Sequence, residues 1–141
     1  MLKKIPKILS PQLVKTVMEM GHGDEIVIAD GNFPCHTISQ HVVRADGLSG
    51  RDILQALMEL FPLDSYCEHQ VYLMQVVPGD QYEPDIWDDY KTILQNSGEP
   101  CSISYLERFA FYERAKKSYA VVATGEEALY ANIILKKGVV K

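Results

Sequence analysis

The chain has 141 residues, 47% of them apolar and 23% charged, which is the composition of one compact folded domain and not of a disordered segment. A formal net charge of −5 leaves no electrostatic case for nucleic acid or an anionic membrane, and the basic pair Lys116–Lys117 is too short to form a patch. No stretch approaches the roughly 20 apolar residues of a membrane span.

The opening "MLKKIPKILSPQLV" is broken by Pro6 and Pro11 before any apolar run reaches signal-peptide length, so a cytoplasmic protein is expected. Ser10–Pro11 reads as a helix start, with Leu13, Val14, Val17, Met18 and Met20 on one face and Gly21 as the stop. "EIVIAD" follows as a buried strand ending at Asp30, then "GNFP" as a turn and "HVVRAD" as a second strand. "GLSGRDILQALMELFPL" carries a helix with Ile53, Leu54, Leu57 and Leu60 on a shared face. "QVYLMQVVP" is a strand, followed by an acidic loop from Pro78 to Pro84. "PDIWDDYKTILQNSG" is a helix with Ile86, Tyr90, Ile93 and Leu94 inward and Gly98 past its end. "CSISYL" is a strand and "ERFAFYERAKK" a helix, whose Phe109 and Tyr112 share a face and are read as core. "SYAVVATG" and "NIILKKGVV" are two last strands around the turn "EEALYA". Alternating strands and helices predict a single α/β domain over residues 1–141, with three layers and a mixed or largely parallel sheet flanked by helices.

Candidate chemistry is sparse. In sheets of this kind ligands sit outside the carboxyl ends of the strands, which raises Asp30, although its side chain could equally cap the next turn. His22, between two glycines, could cap a helix C-terminus or serve a site. The strand between His22 and Asp30 spans up to ~20 Å, so the two meet only if the loop folds back. Cys35, Cys67 and Cys101 form no Cys-x-x-Cys pair and are read as reduced thiols. His36 and His41 have no Cys or carboxylate at ligand spacing, so no metal site is expected. Arg108 and Arg114 would ordinarily be solvated, and the single glycine of "ATGEEALYAN" makes no phosphate loop.

Several blocks are longer and more unusual than composition requires: "MGHGDEIVIAD", "NFP", "RADG", "PLDSY", "ERFAFYERAKK", "VVATGE" and "YANIILKKG". Together, from about Ile5 to Gly138, they resemble the fucose branch of the sugar mutarotase and ribose pyranase family. The resemblance implies interconversion of sugar anomers, and in some members of pyranose and furanose rings, without metal or organic cofactor. It also implies a three-layer α/β fold and ring-shaped homo-oligomers, often decamers, with the site near a subunit boundary. By matching motif, His22 is the proton donor and Asp30 a sugar ligand. Arg108 and Tyr112 belong to the sugar site, and Tyr112 either donates to a sugar oxygen or completes a proton relay. Tyr130, Ala131 and Asn132 form the C-terminal tripeptide, and Asp64 resembles a further sugar contact.

Ala131 is similar to the ribose-type tripeptide, whereas Arg108 and the "FYERA" helix are of the fucose type, so L-fucose is the expected substrate. Phe33, Phe109 and Tyr112 are candidates for a wall against its methyl group. The chemistry suits these residue types, because a histidine near its ordinary pKa of ~6.5 both gives and takes protons at neutral pH. D-ribose pyranase activity is the rival within enzymes. A non-catalytic monosaccharide-binding protein, which would not need His22, is the rival outside them.

Overall fold

In the computed structural model, which describes residues 1–141, the first elements are α1 (Pro11–Glu19), β1 (Glu25–Ala29), α2 (Cys35–Ile38), β2 (Val42–Ala45) and α3 (Gly50–Met58). They are followed by β3 (Val71–Met74), α4 (Ile86–Asn96), β4 (Ile103–Leu106), α5 (Arg108–Lys116), β5 (Ala120–Thr124) and β6 (Ile133–Lys136). The six strands form one sheet in the order β2-β5-β1-β6-β3-β4. All neighbours are parallel except β6, which runs antiparallel to both β1 and β3. The expected three-layer α/β architecture with a mixed sheet is the one observed.

Strand alternation divides the core between the two faces of the sheet. Ile26, Ile28, Val122, Ile133 and Leu135 point to the face covered by α1, α3 and α4, against Leu13, Ile53, Leu57, Tyr90 and Leu94. Val27, Ala29, Val121, Ala123 and Ile134 point to the other face, against Cys35 of α2 and Phe111 and Ala115 of α5. The β-branched runs of β1 and β5 are buried on both faces, which is why they read as continuous apolar segments.

Helix starts follow the sequence closely. The Ser10 hydroxyl accepts the Leu13 N–H at 3.1 Å, and Ser49 does the same for Asp52 at 3.1 Å. Helix ends and faces differ more, and Leu60, expected on the α3 face, lies past its end and is exposed. α1 stops one residue before the expected glycine, because Met20 is already extended, and Met18 is 80% exposed. Residues Cys35–Ile38, between the expected turn and the second strand, form the short helix α2. Phe109 is not core but 65% exposed, and Phe111 is the α5 aromatic that is fully buried. Arg114 is only partly solvated: it donates to both carboxylate oxygens of Glu25 (2.9 and 2.5 Å) and lies 3.7 Å from the Tyr72 ring centroid.

The Phe109/Phe111 difference has a measurable consequence. Phe111→Ala removes a fully buried ring and should cost about 3–5 kcal/mol in urea unfolding. Phe109→Ala should stay within about 0.5 kcal/mol of the parent, as exposed positions do. Equal losses would contradict the packing described.

Candidate functional site

The carboxyl ends of five parallel strands and the start of β6 share one edge of the sheet, and most of the polar candidates collect there. Asp30, the first residue after β1, is only 7% exposed. Its backbone N–H donates to Asn132 Oδ1 (2.8 Å), while Asn132 Nδ2 donates back to Asp30 Oδ2 (3.2 Å). Asp30 Oδ1 accepts the Asn32 N–H (2.9 Å), which folds the "GNFP" turn over the strand end. Burial pushes the Asp30 carboxyl above the usual carboxylate range, against the pull of the Asn32 and Phe33 N–H groups and of Asn132.

The tripeptide before β6 is held by α4, a helix that no motif connects with it. Trp87 Nε1 donates to the Tyr130 carbonyl (2.9 Å) and the Tyr90 hydroxyl to the Ala131 carbonyl (2.7 Å). Tyr130 takes a left-handed backbone with φ +58°. Buried Glu126 closes the other side of the same loop, accepting from the Gly50 N–H (3.0 Å) and the Ala128 N–H (3.1 Å). Trp87 and Tyr90, three apart on one helix face, are the signal that was available. A buried Trp or Tyr needs a partner for its polar end.

Arg108 and Tyr112 sit at the start of α5, one turn apart. Arg108 Nε donates to the Tyr112 hydroxyl (3.3 Å), and its guanidinium carbon lies 5.5 Å from the ring centroids of both Phe109 and Tyr112. Phe33, whose N–H donates to the Asp30 carbonyl (3.2 Å), packs edge-on against Tyr112 at 5.5 Å. That ring contact joins the Asp30 turn to α5. Phe33, Phe109 and Tyr112 therefore do form one aromatic wall, half-open to solvent.

His22 is elsewhere. It lies before the amino end of β1, at the opposite edge of the sheet from Asp30, so the two residues do not meet within one chain. The helix-capping role also fails, because α1 ends in extended backbone at Met20. His22 Nε2 is instead 2.9 Å from Asp64 Oδ1. The Asp64 side chain is 4% exposed and the His22 side chain 45% exposed. Asp64 thus stands with His22 and not among the Asp30 group. The Tyr66 N–H (3.0 Å) and then His22 hold the Asp64 carboxyl below its ordinary range, although burial opposes them. The end of β6 brings the pair together. The Lys137 carbonyl accepts the Gly23 N–H (2.8 Å), and Leu63 forms a bridge with Lys137. Of the two glycines around His22 only Gly23, at φ +88°, needs to be one.

The remaining candidates are dispersed. His36 lies beside Arg44 (3.2 Å) and His41 beside Thr16 (3.4 Å), and no three His, Cys, Asp or Glu side chains converge. The three cysteines are free thiols, and no helix is long and apolar enough to cross a membrane.

A mixed α/β sheet with buried polar groups gathered outside its strand ends defines a small-ligand protein of the α/β class. Residues 3–140 match the RbsD / FucU transport protein family, and the chain belongs to that family. A relative from Homo sapiens named fucose mutarotase is 49% identical over 144 residues, covering 98% of this chain and 94% of that protein. The crystal structure of the fucose mutarotase in complex with L-fucose from Streptococcus pneumoniae is 52% identical, with a TM-score of 0.95 over 99% of this chain and all (100%) of that one. Bacillus subtilis RbsD complexed with D-ribose is more distant, at 26% identity and a TM-score of 0.72, covering 94% of this chain and 95% of that one.

The raised Asp30 carboxyl predicts a pH dependence of stability. The folded chain holds that proton more tightly than the unfolded chain, so Asp30 costs stability as pH rises from about 4, the ordinary carboxylate value, through its raised folded value. The melting temperature of the parent minus that of Asp30→Asn should therefore fall across that window. A difference that rises with pH would show that Asp30 is stabilised as the carboxylate.

Proposed function

We propose that this chain is a sugar mutarotase interconverting the α and β anomers of L-fucose by acid–base-assisted opening and closing of the ring. The family and the similarity to mutarotases named for fucose support the reading. Within the molecule it is carried by one observation, the half-exposed His22 imidazole fixed by buried Asp64.

Opening the hemiacetal takes the proton from the anomeric hydroxyl, breaks the bond between anomeric carbon and ring oxygen, and gives that oxygen a proton. Rotation about the next carbon–carbon bond turns the aldehyde over, and closure reverses both transfers. No electron pair leaves the sugar, so the chemistry asks only for a group that gives and takes protons. Asp64, held ionised, can only accept, which puts the neutral imidazole's proton on Nε2 and leaves the Nδ1 lone pair free. Nδ1 takes a proton from one sugar oxygen and returns it as imidazolium. The Tyr112 hydroxyl accepts from Arg108 and so keeps its own proton to offer the other oxygen. Asp30, Arg108, Tyr130 and Asn132 hold sugar hydroxyls, and the Phe33–Tyr112–Phe109 wall suits the methyl group of a 6-deoxy sugar.

Because His22 and Asp30 occupy opposite edges of one sheet, this reading requires a homo-oligomer. The His22–Asp64 pair of one copy faces the Asp30 edge of another, and a closed ring such as a decamer repeats that contact. Three free thiols suit a reducing, cytoplasmic setting.

His22→Ala should lower fucose anomer exchange, followed by saturation-transfer NMR, by about 10²–10⁴-fold, the usual share of positioned acid–base help. Its melting temperature should fall only a little, because the Tyr66 N–H still holds the Asp64 carboxylate that loses the imidazole. Exchange at the parent rate would remove the acid–base role. The shared site predicts complementation. His22→Ala and Asp30→Ala, each inactive alone, should recover part of the parent rate once mixed and allowed to exchange subunits. No recovery in mixed oligomers would place both residues in one copy's site.

A further inference from the structure

The stretch between Pro78 and Gly98 carries none of the blocks that identify the family, yet its first turn is built around Tyr130. The Asp80 N–H donates to the Val77 carbonyl (3.1 Å), with Gly79 at φ +92°. Asp80 Oδ1 accepts the Tyr82 N–H (3.1 Å), while Asp80 Oδ2 accepts the Tyr130 hydroxyl at 2.6 Å. The Val77 N–H reaches the same phenol oxygen at 3.4 Å, and the Tyr82 ring stacks on the Tyr130 ring at 5.9 Å and 30°. With Trp87 on the Tyr130 carbonyl, both ends of this residue are tied down.

Two physical demands explain the arrangement. A bulky residue in left-handed backbone costs about 1–3 kcal/mol and persists only where its surroundings over-determine it. A phenol also has a single proton to give. Here that proton goes to a carboxylate at a length typical of charge-assisted O–H···O⁻ bonds. Asp80 accordingly pushes the Tyr130 phenol above its ordinary pKa. With its proton committed and one lone pair toward Val77, the oxygen faces a ligand only as an acceptor. Tyr112 is its complement, having accepted from Arg108 and kept its proton.

Resting on the reading that the 130–132 tripeptide holds the sugar, we propose that Asp80 is a positioning residue for sugar exchange, which fixes Tyr130 and makes its phenol oxygen an obligate acceptor for a sugar hydroxyl. Neither residue moves the proton of the reaction. The effect of Asp80 therefore falls on KM more than on kcat, and it passes through the Tyr130 hydroxyl.

The test is a double-mutant cycle on the intact protein, with kcat and KM for fucose exchange obtained from saturation-transfer NMR over a range of fucose concentrations. Asp80→Ala should lower kcat/KM about 10- to 100-fold, as expected for loss of a hydrogen bond to a charged group. Asp80→Asn, whose amide oxygen still accepts the phenol proton, should recover most of that loss. In a Tyr130→Phe background, Asp80→Ala should add less than about twofold. Asp80 is exposed, so its variants leave the core intact. Parent kinetics in Asp80→Ala beside an impaired Tyr130→Phe would overturn the proposal and leave the tripeptide reading standing. Independent, multiplying losses, or no rescue by asparagine, would also overturn it, because Asp80 would then only shape its loop. Parent kinetics in Tyr130→Phe would remove the sugar role of Tyr130 and the role of Asp80 with it.

Discussion

The brace between Asp30 and Asn132 is the contact on which the polar edge of this molecule depends. Two hydrogen bonds, from backbone to side chain and from side chain to side chain, tie the exit of β1 to the entry of β6 across 102 residues of sequence. An aspartate at that strand end could have been a turn cap alone. Because Asn132 supplies both an acceptor and a donor, the same carboxylate is held at a fixed angle to the tripeptide that follows Tyr130. The left-handed backbone of Tyr130 and the bonds from Trp87 and Tyr90 of α4 lie directly beside that fixed point in the chain. Burial of the carboxylate, and its raised proton affinity, are what this rigidity costs.

β6 does at its far end what Asn132 does at its start. Running against its neighbours, it carries the chain from the Asp30 edge to the His22 edge. There, backbone bonds at Lys137 and Gly138 hold the loops bearing His22 and Asp64. One short strand thus organises both polar clusters while keeping them apart. Its direction decides which end meets which cluster, because a parallel β6 would bring Lys137 and not Asn132 to Asp30.

Much of the layering was legible in the sequence because burial writes a clear period. The apolar runs of β1 and β5, the Ser caps of α1 and α3, and the inward face of α4 all follow from local rules. Less legible was anything decided by contacts distant along the chain. Phe109 and Phe111 are chemically alike, and only the direction of α5 over the sheet chooses which is core. Arg114 looks like a surface cation until Glu25 and Tyr72 arrive from other strands. His22 could be matched to a family motif, but its partner Asp64 is 42 residues away and reaches it through β6. Asp80 and Trp87 left no motif, since their work is to hold a backbone shape and not to present a distinctive pattern.

The place of β6 also bears on how the molecule comes together during synthesis. It follows the other five strands in chain order, yet it lies between β1 and β3. Until it emerges, β2-β5-β1 and β3-β4 are two separate ribbons with no ladder between them, each with a central edge open to pairing with a foreign strand. Their union awaits contacts of long sequence separation, the kind that slow folding and prolong exposure to misassembly. A nascent chain of this fold therefore depends on a delayed keystone, and shielding the exposed β1 and β3 edges is the task a chaperone would have to perform.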